Sequence, residues 1–154
     1  MEETKETGLV VPVMNQLTTD VFGEDQRVKK ATSLDLTDDE QVDMLLNSMQ
    51  DVDHKLNDCI DQVIEVIGAY VVEREVDSVN EETGEVITRK KHVLMLFDLN
   101  KESYVTGSNS CYMSYCDIVA IKGVPSIEKP LKLVPIKVDA KEKGHSYLKL
   151  KIAK

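Results

Sequence analysis

Apolar and polar positions divide this chain most clearly between Gln62 and Leu99. Val63, Val66, Tyr70, Val71, Val72 and Val76 give the first half a β-branched character that favours a strand. A helix over Ile60–Val72 has a similar length and remains open on periodicity alone. Glu73-Arg74-Glu75-Val76-Asp77 then alternates, as a half-exposed strand end does. Asn80-Glu81-Glu82-Thr83-Gly84-Glu85 is polar and carries a glycine able to take positive φ, so it reads as a turn. Val86–Leu99 returns with a basic first half, expected to be exposed, and an apolar second half, expected to be buried. Strands of this length bend, by a bulge or by curling into a small barrel, and Gly68 is the candidate bend in the first.

The remaining elements follow from shorter patterns. Met1–Leu36 has no sustained period and reads as an N-terminal arm, flexible or partly ordered, with Leu9–Val13 a short apolar patch. Thr37-Asp38-Asp39-Glu40 has the form of a capping box and predicts a helix over residues 37–57. Val42, Leu45, Leu46, Met49, Val52 and Leu56 form its apolar stripe, which either docks on the main domain or meets a partner. Ser103–Thr106 predicts a short strand. Ser108 or Ser110 is placed to cap a helix over Cys111–Ile121, and Gly123 to end it. Its apolar surface would come from Met113, Cys116, Ile118, Val119 and Ala120. Leu131–Asp139 alternates, with Pro135 requiring an edge position or a bulge. Ala140–Gly144 is a charged turn. Ser146–Ile152 alternates again, with Tyr147, Lys149 and Lys151 opposite Leu148, Leu150 and Ile152.

The predicted order is three strands, a helix and two strands, preceded by an arm and a helix. It is the element order of the five-stranded barrel that binds oligonucleotides and oligosaccharides. The expected class is therefore mainly β, an OB-like domain over residues 37–154 behind the arm of residues 1–36.

Composition narrows the function. At 154 residues with 42% hydrophobic content, the chain fits one domain plus an appendage. Two Phe and no Trp leave Val, Ile, Leu and Met to fill the core. Three cysteines without a Cys-x-x-Cys pair, and no signal-peptide pattern, fit a reducing cytoplasm. Cys59 is expected to be buried rather than reactive, and Cys111 and Cys116 are poorly spaced for a metal or redox pair. No apolar run approaches the roughly 20 residues of a membrane span. Asp98, Asp117 and Asp139 form no metal-spaced set, and Gly107–Ser110 lacks the glycine and lysine spacing of a phosphate loop. The sequence thus predicts neither an enzyme nor a cofactor.

The formal net charge of −9 is unevenly spread. Met1–Asp61 has 15 acidic and 5 basic residues, and Gln62–Glu85 has 7 and 1. Val86–Lys154 reverses this, with 6 acidic and 13 basic residues. An acidic total slows the approach to nucleic acid without preventing a local positive surface from binding it. Single-strand binders need cations for the backbone and flat side chains for the bases. Arg89, Lys90 and Lys91 form one basic cluster, and Lys137, Lys141, Lys143, Lys149 and Lys151 a second. Tyr147 interleaves with Lys149 and Lys151, and Tyr104 is a further stacking candidate. The alternative for each is a solvated strand face or a core tyrosine.

Four stretches carry a family resemblance: Asn80–Glu85; Val93-Leu94-Met95-Leu96-Phe97-Asp98; Tyr104-Val105-Thr106-Gly107-Ser108; and Gly144-His145-Ser146-Tyr147-Leu148-Lys149-Leu150. In that order, from about Gln62 to Ile152, the chain resembles small single-stranded DNA-binding proteins encoded by phages and plasmids of Gram-positive bacteria. The resemblance implies a nucleotide-binding barrel acting in replication or recombination. Single-stranded DNA is its implied ligand, and replication or recombination proteins are its implied partners. It does not cover the leader or explain its acidity. A homo-oligomer is left open. The competing reading is an interaction or regulatory protein acting through the acidic N-terminal region and its helix.

Overall fold

The computed structural model describes residues 28–139 and 144–153. Seven strands lie in one open, mixed sheet: β1 (Val28–Thr32), β2 (His54–Lys55), β3 (Ile64–Val79), β4 (Val86–Asp98), β5 (Ser103–Thr106), β6 (Leu131–Asp139) and β7 (Ser146–Ile152). Among the described residues two α-helices accompany it, α1 (Asp39–Gln50) and α2 (Asn109–Lys122), with a short 3-10 turn at Leu56–Cys59. The sheet order is β2-β5-β4-β3-β6-β7, and β1 pairs with β3 off that path.

β3 and β4 are the expected long hairpin. They pair antiparallel from Val66 with Asp98 to Val79 with Val86. Gly84 closes the turn at φ +74°, where its amide donates to the Asn80 carbonyl at 2.7 Å. The register shifts between Val66 and Gly68, so the bend expected at Gly68 is a bulge. Gly68 answers a second demand there. A Cβ would stand 2.6 Å from Leu34 Cδ2.

Along its other side β3 meets β6 at Ile64–Val66 and β1 at Tyr70–Arg74. Pro135 lies beyond the β3–β6 pairing and opposite Leu150, and its carbonyl accepts from the Asp61 amide at 2.8 Å. Its missing N–H therefore breaks no β3 ladder.

Each sheet face carries one core. Val66, Val71, Leu94, Leu96, Leu133, Leu148 and Leu150 pack with Cys111, Tyr115 and Val119 of α2. Ile67, Tyr70, Met95 and Phe97 pack on the opposite face with Leu34 and with Met44 and Leu45 of α1. The first face is covered by α2 and the second by α1.

Three expectations are corrected. The five-stranded barrel is not closed, because among the described residues β7 pairs only with β6 and the sheet stays open. The predicted 37–57 helix is shorter at both ends. Thr37 donates through its hydroxyl and amide to Asp35 Oδ1, at 2.6 and 3.0 Å, so Asp38 becomes the N-cap and accepts from the Glu40 amide. Beyond Gln50, Asp53 accepts from the Ser103 amide and hydroxyl, and His54–Lys55 pairs in parallel with β5. Tertiary bonds thus pull this stretch out of helix. The apolar stripe is also rotated: Met44, Leu45 and Ser48 are buried, while Leu46 and Met49 are exposed.

The third correction concerns the arm. Its last part, Val28–Leu36, is built into the fold through β1 and through Leu34, which is 6% exposed. Residues 1–27, with the apolar patch Leu9–Val13, lie outside the described residues. The helix over Cys111–Ile121 is α2, capped by Ser108 at the Cys111 amide and ended at Gly123. It buries Cys111, Ser114, Tyr115 and Val119, while Met113 and Ala120 are exposed.

Leu34→Ala should destabilise the full-length protein by about 2–5 kcal/mol, the usual cost of a large-to-small change in a packed core. Urea denaturation measures it. A change within the scatter of surface substitutions would return Val28–Leu36 to the arm.

Candidate nucleic-acid interface

Successive strand residues point to opposite faces, so the β3–β4 register decides where each charge goes. Val71 and Leu94 face α2, which fixes the residues beyond them. Glu73, Glu75 and Asp77 fall on the α2 face with their cross-strand neighbours His92, Lys90 and Thr88. The contacts agree: Thr88 donates to Asp77 at 2.8 Å, and Lys90 Nζ stands 3.8 Å from Glu73. Arg74, Lys91 and Arg89 fall on the α1 face, together with Val72, Val76, Ile87 and Val93. β1 adds Lys30 and Val28 to the same face. That face of the outer ribbon carries no acidic residue. None of its four cations makes an ion pair among the described residues.

The basic cluster Arg89-Lys90-Lys91 is therefore divided. Lys90 turns to the acidic face. Arg89 and Lys91 join Arg74 and Lys30, neither of which belongs to the clusters at Arg89–Lys91 and Lys137–Lys151. The alternation Glu73-Arg74-Glu75 did hold the signal for Arg74, since it sets the cation against its acidic neighbours. Lys30 required the β1 pairing.

The second cluster is built on β7. Tyr147, Lys149 and Lys151 share one side of the strand, opposite Val138, Ile136 and Val134 of β6. Lys149 Nζ lies over the Tyr147 ring, 5.9 Å from its centre. Lys137 faces the other way, opposite Leu148, and so is set apart from that trio. Lys141 and Lys143 lie outside the described residues. β4 and β7 are separated in the sheet by β3 and β6. Strand pairing therefore does not bring the two basic groups together.

α2 lies along the outer edge of β7. Ser110 donates to the Leu148 carbonyl at 2.8 Å, and Ser114 accepts from the Leu150 amide at 2.9 Å. The two hydroxyls, one turn apart, satisfy backbone groups that a further strand would otherwise pair. The same helix reaches β4. His92 meets Glu73 at 3.0 Å and Asn109 at 2.9 Å, and it stacks on Tyr112 with ring centres 4.0 Å apart. Its partners come from β3 and α2, which only the register and the docking of α2 bring together.

Tyr104 is not a stacking platform. It is 9% exposed, and its hydroxyl donates to Asp98 at 2.7 Å. Asp98 also accepts from the Asn100 and Glu102 amides, both at 2.9 Å. Burial, together with the bond to Asp98, raises the Tyr104 phenol well above its ordinary pKa. His54 stacks on its ring and closes the outer side. Tyr112 is likewise engaged by His92, which leaves Tyr147 as the half-exposed ring beside cations. The three cysteines are free, and burial pushes the Cys111 thiol up to about 12.

Comparison of the chain with protein-family models, with curated proteins and with solved structures finds no match. Among the described residues no helix is long and apolar enough to cross a membrane.

Tyr104→Phe removes the hydroxyl from a buried carboxylate, so stability should fall by about 1–3 kcal/mol. Affinity for a single strand should not change. A fluorescence titration with a labelled oligonucleotide, paired with urea denaturation, separates the two effects. Lost affinity at unchanged stability would put Tyr104 back at the interface.

Proposed function

We propose that this protein binds single-stranded nucleic acid, with DNA as the ligand, in the replication or recombination of a phage or other mobile element. The observation that carries the reading is the sorting of charge across the outer β3–β4 ribbon. Lys30, Arg74, Arg89 and Lys91 gather on one acid-free face, interleaved with apolar residues. Such a face suits a phosphate backbone whose bases lie against aliphatic side chains. Tyr147 with Lys149 and Lys151 supplies the ring on which an unpaired base stacks.

The topology supports the same reading. β3, β4, β5, α2, β6 and β7 follow the chain order of an oligonucleotide-binding barrel, and β6 joins β3 antiparallel as its fourth strand joins its first. We read the open sheet as such a barrel, with α2 lying along the edge left unpaired. The resemblance to phage and plasmid single-strand binders adds the biological setting. The exposed Leu46 and Met49 on α1 favour the second reading, a protein-interaction role for the N-terminal region and its helix.

A duplex hides the base faces, so stacking is lost while charge attraction persists. Neutralised phosphates release counterions, with a slope of about −0.7 per contact on a single strand. Replacing Arg74, Arg89 and Lys91 together by Gln should weaken binding and flatten the salt slope by roughly 2. Lys90→Gln should change it less, because that ammonium already faces Glu73. Tyr147→Leu should lower affinity by about 1–3 kcal/mol at an unchanged slope. The measurement is a fluorescence titration of a labelled strand of about 30 nucleotides at several salt concentrations, with duplex as competitor. No micromolar binding at low salt would overturn the assignment and favour the interaction protein.

A further inference from the structure

Between α2 and β7 lies an open groove of about 470 Å³. Met113, Asp117 and Ile118 line it from the helix, and Tyr147 and Lys149 from the strand. Met113 is 54% exposed and Tyr147 39%, although both stand beside the main core. Ser110 and Ser114 also border the groove, but their hydroxyls hold the β7 backbone. The charged groups left to a ligand are the Asp117 carboxylate and the Lys149 ammonium. Asp117 makes no ion pair among the described residues.

We propose, resting on the single-strand reading, that this groove holds one unpaired base and favours guanine. Lys149 lies over one face of the Tyr147 ring. The other face takes a flat ligand, with the Met113 thioether and Ile118 forming an apolar wall. Sulfur and aliphatic side chains pack well against a π-face. The carboxylate sets the choice of base. It only accepts hydrogen bonds, through two oxygens in a fork. Guanine presents N1–H and an N2 amino hydrogen side by side, and the pair matches that fork. Adenine and cytosine set a ring-nitrogen acceptor beside their amino group, and thymine flanks its single N–H with two carbonyls. Each of these turns a lone pair toward the carboxylate. In a duplex the guanine edge is paired with cytosine and cannot enter. Lys149 is left for the adjoining phosphate, so the base preference adds to a sequence-independent grip on the backbone.

The test uses the full-length protein and labelled thymine strands of about 30 nucleotides, either uninterrupted or carrying isolated guanine, adenine or inosine. Isolated guanines avoid self-association of the strand. The guanine strand should bind about tenfold more tightly than the all-thymine and adenine strands, as a two-bond base contact does. Inosine keeps N1–H but lacks the N2 amino group, so it should lose most of that gain. Asp117→Asn should abolish the preference, and with the lost negative charge the all-thymine strand should bind at least as tightly as before. Asp117 is exposed, and an unchanged thermal transition confirms that the variant folds. Equal binding of all strands would overturn the guanine proposal and leave the single-strand reading standing. A guanine preference that survives Asp117→Asn would also overturn it. Failure of every strand to bind would remove both.

Discussion

The parity of the β3–β4 ladder is the constraint on which the rest of this structure depends. Two residues, Ile67 and Gly68, occupy the bulge and turn toward the same side, so the strand changes phase there. Before the bulge Val66 faces α2, and after it Ala69 and Val71 do. A slip of one residue beyond this point would send every side chain of the outer ribbon to the opposite face. Glu73, Glu75 and Asp77 would exchange places with Arg74 and Val76. Leu34 sits where a Cβ on residue 68 would stand, so the segment after β1 is fitted to this one glycine. The same segment is tied to β3 by Ser33 and Thr32. Ser33 accepts from the Ala69 amide at 2.9 Å, and the Thr32 hydroxyl donates to the Ala69 carbonyl at 2.9 Å. Charge segregation on the ribbon is thus a consequence of backbone packing at its base.

The second organising contact is the one between α2 and β7. A sheet edge usually ends in solvent, in another strand or under a covering segment. Here helix side chains take the hydrogen bonds, and the alternation of buried Leu148 and Leu150 keeps the edge against the core. The helix is held from its other side by the stack of His92 on Tyr112. One element therefore touches both the ribbon, on the face opposite its four cations, and the β6–β7 hairpin, where it borders the groove beside Tyr147.

Local patterns carried much of this architecture in the sequence. The long hairpin, its turn at Asn80–Glu85, the Ser108-capped helix and the alternation of β6 and β7 all arise from residues close together along the chain. What the sequence did not disclose depends on partners far away. Thr37 is spent on Asp35, and Asp53 on Ser103, so neither end of the first helix follows its capping pattern. Val28–Thr32 has a weak pattern and becomes a strand because β3 offers it an edge. Arg89, Lys90 and Lys91 look like one cluster in a linear reading, but period-two geometry divides them. Tyr104 could not be told from an exposed ring until Asp98 and His54 were placed around it. Along the chain Met113 is one apolar position of a helix and Asp117 a lone carboxylate, and only the seating of α2 against β7 puts them beside Tyr147.

The outer ribbon also has a mechanical consequence. Among the described residues its buried apolar residues end at Val71 and Leu94, and beyond the β1 pairing at Arg74 and the α2 contact at His92 the ladder and cross-strand pairs join the two strands. Regions with few buried contacts open at lower free energy than the body to which they are attached. The ribbon is therefore a compliant lever rooted in a rigid base. It can twist or fray at its tip while the two cores remain intact. A lever of this kind changes its own twist without requiring the whole domain to rearrange.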